Sequence, residues 1–177
     1  MNKSFFLNLG SILFSIGIFL LVSAPILGSI SLFFSALLGT LINKQKYLND
    51  NWNKLFLICG TFILLSTTKH IFFGQDSYKD SLDPILSLIG IFNWLPFFWI
   101  FWGCQYYLNS RIKRKKTALL LVSGTFPLLV SGFGQYFFNW TGPLKILNGL
   151  IIWYQRPIQE HGLTGPFNNQ NYAGAWL

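Results

Sequence analysis

Hydrophobic residues run along this chain in long, nearly unbroken blocks, with the polar residues gathered into short intervals between them. A helix needs about 20 apolar residues to cross a hydrocarbon core, and five blocks approach that length: residues 4–24, 25–42, 55–73, 85–108 and 117–139. The first two are contiguous, yet one helix over residues 4–42 would be roughly 58 Å long at 1.5 Å per residue, too long for a single pass. The pattern therefore predicts two antiparallel passes that turn at Ser23-Ala24-Pro25, because proline removes a backbone donor and disfavours helix at the residue before it. Another apolar stretch begins near Tyr172. The expectation is an all-α, polytopic integral membrane protein with five transmembrane helices and the start of a sixth. In this reading residues 1–139 are the transmembrane region, residues 140–171 an extracytoplasmic segment with an interfacial helix, and residues 172–177 the opening of the sixth helix.

Small residues recur at four-residue spacing within the blocks: Ser11 and Ser15 in the first, Ser31, Ser35 and Gly39 in the second. Such faces let backbones approach closely, so these two helices are expected to pack on each other or on a neighbour. Pro96 and Pro127, the latter near Gly124, Gly132 and Gly134, mark bent or broken helices. Trp52, Trp94, Trp99, Trp102, Trp140, Trp153, Tyr106, Tyr107 and Tyr136 fall mostly near block ends, where an amphipathic ring anchors at the membrane interface.

Composition agrees with this class. Charged residues make up 10% of the chain and hydrophobic residues 52%, whereas a water-soluble domain carries about 25% charged residues. The net charge of +8 raises the question of nucleic acid, but the cations lie between apolar blocks and not in an aromatic-laced patch, so no nucleic-acid partner is expected. Lys3 followed by an apolar run and Val22-Ser23-Ala24 resembles a signal peptide in part. The run is too long for one and continues past Pro25, which favours a retained helix. The distribution of the cations also sets orientation. Lys3, Lys44, Lys46, Lys54, Arg111, Lys113, Arg114, Lys115 and Lys116 fall on one side. The other side has Lys69, Lys79, Lys145 and Arg156, together with Asp76, Asp80, Asp83 and Glu160. The positive-inside rule puts the N-terminus in the cytoplasm and residues 140–171 outside.

Candidate chemistry is sparse inside the blocks. The only titratable polar residues there are Lys69 and His70, at the outer end of the third, where a snorkelling lysine and an interfacial histidine are expected. With no acid in any span, a proton-coupled transporter lacks its carboxylate relay. Cys59 and Cys104 lie within apolar runs without ligand spacing, and His70 and His161 are too few for a bis-histidine haem, so neither metal nor cofactor is expected. The outer segment is richer. Residues 144–154 are apolar enough to lie along the membrane surface, carry Lys145, and lead into Gln155-Arg156-Pro157 and Glu160-His161. On residue types alone, Arg156 either seats an anionic headgroup such as a diphosphate or anchors an interfacial helix. Gly165-Pro166 reads as a turn, and Asn171 as the N-cap of a helix starting at Tyr172.

The run Gly165-Pro166-Phe167-Asn168-Asn169-Gln170-Asn171-Tyr172-Ala173-Gly174-Ala175-Trp176-Leu177 resembles a motif of the bacterial O-antigen ligase and O-antigen polymerase family, Gly-x-Phe-x-Asn-Pro-Asn followed by a small-residue, apolar helix start. Gly165, Phe167, Asn169 and Asn171 match it. Gln170 replaces its proline, and Gly162 stands where the family usually has arginine. The resemblance implies glycosyl transfer outside the cytoplasmic (inner) membrane, from a polyprenyl-diphosphate-linked glycan such as an undecaprenyl diphosphate conjugate to the sugar of an acceptor glycolipid or glycan, as in lipopolysaccharide and other surface polysaccharide synthesis. In that setting Arg156, Lys145, Asn169 and Asn171 would bind substrate, with membrane lipids as the other partners. The cations would stabilise charge on the diphosphate leaving group while a general base takes the acceptor proton. His161 is the candidate base in this sequence. The family uses no metal or cofactor, and it continues through more spans and a large external loop carrying a histidine. By that resemblance this chain is the N-terminal part of such a protein and inactive alone. Two other readings stay open: a non-enzymatic membrane subunit, and a transporter of lipid or other substrate.

Overall fold

The structure is a computed structural model that describes residues 3–42, 47–73 and 84–176. Lys44 and Lys46, and Asp76, Lys79, Asp80 and Asp83, lie outside the described residues, as do the side chains of Lys3, Glu160 and His161. The described chain is mostly helical: α1 (Lys3–Leu20), α2 (Pro25–Ile42), α3 (Asn51–Phe73), α4 (Pro84–Cys104), α5 (Arg111–Gly124), α6 (Phe126–Phe138), then the strands β1 (Leu144–Ile146) and β2 (Ile151–Trp153), and the short α7 (Ile158–His161) and α8 (Gln170–Trp176). Four stretches are long and apolar enough to cross a membrane: Pro25–Ile42, Asn51–Phe72, Leu88–Leu108 and Arg111–Phe138, with Ser4–Leu20 a shorter apolar helix. This is a multi-pass membrane protein by the length and composition of its helices.

The first two helices turn where proline demands it. α1 ends at Leu20, and α2 begins with Pro25 at a first-turn position whose N–H is not needed. Their faces meet through small residues: a Cβ on Gly28 would lie 3.1 Å from the Gly17 carbonyl oxygen, and Ser35 Oγ donates to the Gly10 carbonyl at 3.0 Å. Farther along, α2 meets α4 just as tightly. A Cβ on Gly39 would run into the Gly103 carbonyl oxygen, and one on Gly103 would lie 2.5 Å from that of Ala36. Without a hydrophobic driving force between helices in lipid, close packing of this kind holds them together. Phe14, Ala36, Cys104 and Tyr107 form the buried centre, with Tyr107 stacked on Phe14 at 5.3 Å and its hydroxyl donating to the Ser35 carbonyl at 3.0 Å.

At this end of the bundle, a turn at Tyr47–Asn49 leads into α3 and a turn at Gln105–Leu108 leaves α4. Gln105 Nε2 ties them, donating to Asp50 Oδ2 at 3.1 Å and Asn53 Oδ1 at 3.2 Å. The chain then rises again as α5 and α6. The expected fifth span is thus two helices broken at Thr125, because Pro127 has no N–H to offer the preceding turn and Thr125 N–H turns back to the Val122 carbonyl at 3.1 Å. Pro96, by contrast, sits within an uninterrupted α4.

One expectation is corrected. Residues 144–153, read as part of an interfacial helix, form an antiparallel β-hairpin with Leu144 opposite Trp153, Lys145 opposite Ile152 and Ile146 opposite Ile151. The cause is local. Asn148-Gly149 is a strong hairpin signal, and Leu147, Asn148 and Gly149 all have positive φ (51°, 53° and 90°), a bend that Gly and Asn tolerate and a helix cannot contain.

Candidate functional site

The α1–α2 turn stops short of the top of α6. Val22, in that turn, packs with Leu128 and Ala173 in one buried cluster. About ten residues of α6, roughly 15 Å of helix, continue beyond Leu128. Residues 140–176 fill the space above the turn and beside this extension, and Trp153 Nε1 fixes the hairpin there by donating to the Ser23 carbonyl at 2.8 Å.

Irregular backbone beside membrane helices has to find its hydrogen bonds within the protein. Gln135, fully buried on α6, supplies most of them. Its Nε2 donates to the Arg156 carbonyl at 2.9 Å and to Thr164 Oγ1 at 3.2 Å, and its Oε1 accepts from the Gly165 N–H at 2.7 Å. Thr164 Oγ1, also fully buried, accepts from the Arg156 N–H at 3.0 Å. One turn down α6 toward its start, Ser131 Oγ accepts from Gln155 Nε2 at 2.9 Å. Backbone bonds complete the fabric: Gly142 N–H to the Gln155 carbonyl at 3.0 Å, and Tyr154 N–H to the Pro166 carbonyl at 3.1 Å. Gly165 must be glycine twice over. Its φ is +58°, and a Cβ there would run into the Leu128 side chain.

The sequence-predicted residues are distributed unevenly over this cap. Arg156 is gripped through both its peptide groups while its guanidinium stays exposed, 5.8 Å from the Tyr154 ring centroid. Gly165 lies in the same network, and Phe167 follows at once, half-buried and edge-on to Tyr172 at 6.4 Å. Asn169 and Asn171 are both exposed and belong to one helix start. Here a second expectation is corrected. The cap residue is Asn169, whose Oδ1 accepts the Asn171 N–H at 2.8 Å, and α8 begins at Gln170. Lys145 is exposed in β1 across from Ile152, away from the Gln135 network, and His161 ends α7. Gln135, Thr164 and Ser131 carry no mark in the sequence pattern, and Gln155 stands there only as a neighbour of Arg156. For Gln135, an amide within an apolar block, close to its outer end, was the available signal, since a buried polar group there requires partners.

Beside Arg156 the cap opens into an apolar groove of about 450 Å³ between the α1–α2 turn, β2 and α8, lined by Val22, Pro25, Ile152, Tyr154, Phe167 and Trp176, with Asn168 at its rim. Tyr154 adjoins both features: it is among the residues that line the groove, and its ring centroid lies 5.8 Å from the guanidinium carbon. Trp176 Nε1 is buried without a hydrogen-bond partner among the described residues. Chemically the arrangement suits an amphiphile, with an anionic head at Arg156 and an apolar chain along the groove. Among the described residues no group of His, Cys, Asp and Glu side chains could hold a metal ion. No protein-family model, curated protein or solved structure matches the chain.

Proposed function

We propose that this protein belongs to a membrane glycosyltransferase of the O-antigen ligase or polymerase type, moving a glycan from a polyprenyl diphosphate to an acceptor sugar outside the inner membrane. The observation that carries the proposal is an exposed Arg156 guanidinium 5.8 Å from the ring centroid of Tyr154, a residue that lines an apolar groove of about 450 Å³, within the size range of small-molecule sites. A polyprenyl diphosphate has the same two parts, an oxyanion head and an isoprenoid chain. The motif residues support the reading by their place: Gly165 closes the network that positions Arg156, and Phe167 lines the groove.

In this mechanism Arg156 pairs with the diphosphate and offsets the charge that builds on it as the glycosidic bond to phosphate breaks. Lys145 adds positive potential on the same cap. Asn169 and Asn171, both exposed on the cap, offer amides to sugar hydroxyls, with Asn168 lining the groove beside them, and His161 remains the candidate base for the acceptor hydroxyl proton. The same reading takes α1, α2, α3, α4 and the α5–α6 pair as five passes with α8 opening a sixth, the N-terminus in the cytoplasm and the cap outside. The cap and the Arg111–Lys116 cations lie at opposite ends of the bundle, as that orientation requires.

Two measurements test it. Replacing Arg156 by Ala in the native gene should cause lipid-linked glycan to accumulate and polymer on the surface acceptor to fall at least tenfold at equal protein level. Unchanged attachment removes Arg156 from the mechanism. Sidedness is read with Asn169→Cys in a Cys59→Ser, Cys104→Ala background, which a membrane-impermeant maleimide should label in intact cells. Labelling only after permeabilisation refutes both the orientation and the reaction that depends on it.

A further inference from the structure

At the end of the bundle away from the cap, five cations fall within six residues at the start of α5: Arg111, Lys113, Arg114, Lys115 and Lys116. They are not equivalent. Lys113 turns inward, its Nζ donating to the Tyr106 carbonyl at 3.3 Å and lying 4.7 Å from that ring's centroid. Arg111, Arg114 and Lys115 are exposed and stand at i, i+3 and i+4, so they share one helix face. Arg114 is partly oriented already, with Nη1 donating to the Leu108 carbonyl at 3.0 Å and its remaining donors left for a ligand. Like charges at this spacing repel, and little among the described residues answers them. Asp50 is the one acidic side chain described, and its carboxylate accepts from Gln105 Nε2 and the Trp52 N–H.

The face also has a fixed place relative to lipid, because α5 opens the apolar stretch Arg111–Phe138 and its first turns meet the bilayer surface. We infer that Arg111, Arg114 and Lys115 form a binding site for the phosphate headgroup of an anionic phospholipid. Guanidinium forks match phosphate oxygens in pairs, and a basic segment flanking a span is attracted to anionic lipid through each of its cations. The site is independent of the proposed transfer reaction and of which side of the membrane this end faces.

The test is native mass spectrometry of the detergent-solubilised protein with equimolar phosphatidylglycerol and phosphatidylcholine, where membrane orientation plays no part. The wild type should retain phosphatidylglycerol preferentially, and inorganic phosphate at the same concentration should not displace it. The triple variant Arg111→Gln, Arg114→Gln, Lys115→Gln should lose that preference by roughly tenfold or more. A variant with equal charge loss elsewhere, Lys54→Gln, Lys69→Gln, Lys79→Gln, should keep it. The pair Arg111→Lys, Arg114→Lys preserves charge and separates bidentate recognition from simple attraction. A partial loss supports the guanidinium contacts, and full retention overturns them. Equal retention of the two lipids by the wild type, an undiminished preference in the triple variant, or displacement by free phosphate overturns the site.

Discussion

Replacing Gln135 by Leu keeps most of the side-chain volume and deletes every hydrogen bond the amide makes. Three partners lose it: the Arg156 carbonyl, Thr164 Oγ1 and the Gly165 N–H. Thr164 Oγ1 retains the Arg156 N–H, so its loss is small. The Gly165 N–H and Arg156 carbonyl are left without this partner in a site where Gln135 and Thr164 are fully buried, and an orphaned buried group costs about 1–3 kcal/mol. A total of about 3 kcal/mol is a conservative sum, and it acts on the cap alone, since none of these bonds reaches α3 or α4. Opening of the cap should therefore become about 100-fold more frequent, at 1.4 kcal/mol per factor of ten. Hydrogen–deuterium exchange of the protein in nanodiscs reads this directly: amides of residues 154–167 should exchange faster by that factor, while those of α2 and α4 stay as in the wild type. Exchange within threefold of wild type in 154–167 would refute the assignment of Gln135 as the cap's anchor. A uniform acceleration over all helices would refute the claim that the anchor is local.

Three further outcomes follow from contacts described above. Gly165→Ala should lower cap stability by about 2 kcal/mol through its positive φ and the clash with Leu128, and Leu128→Ala should relieve the clash without restoring wild-type exchange, because the backbone strain remains. Asn169→Ala should cost about 1 kcal/mol and fray α8, whereas Asn171→Ala should be nearly silent, as judged by exchange of the Asn171 and Tyr172 amides. Gly103→Val should separate α4 from α2 and lower the thermal midpoint in detergent by several degrees. The group it would strike is the Ala36 backbone, which cannot swing aside, so an unchanged midpoint would contradict the packing.

The helices were legible because length and apolarity alone decide them. Pro25 located the first turn and Pro127 the break between α5 and α6; of the small residues spaced by four, Ser35 lies in the α1–α2 seam, whereas Gly39 meets α4 and the seam's own glycines, Gly17 and Gly28, fall outside that pattern. The hairpin escaped because its strands are as apolar as a membrane helix, and the run of isoleucines and leucines hid the Asn148-Gly149 signal that should have divided it. The helix start at Asn169 was misplaced by two residues because both asparagines suit a cap and only the fold selects one. Arg156 was found by its charge, but what positions it was not. Gln135 and Thr164 are separated by 29 residues, and no local periodicity couples an amide on one element to a hydroxyl on another.

The protein holds residue 156 by its peptide N–H and carbonyl, and both bonds would form equally well with any side chain but proline. Folding and ligand preference are thereby uncoupled at that position: it is a socket into which selection can fit a different head without rebuilding the wall around it. A lysine, glutamine or tyrosine installed there should be presented from the same point in space, which makes residue 156 the natural place to retune what the groove accepts.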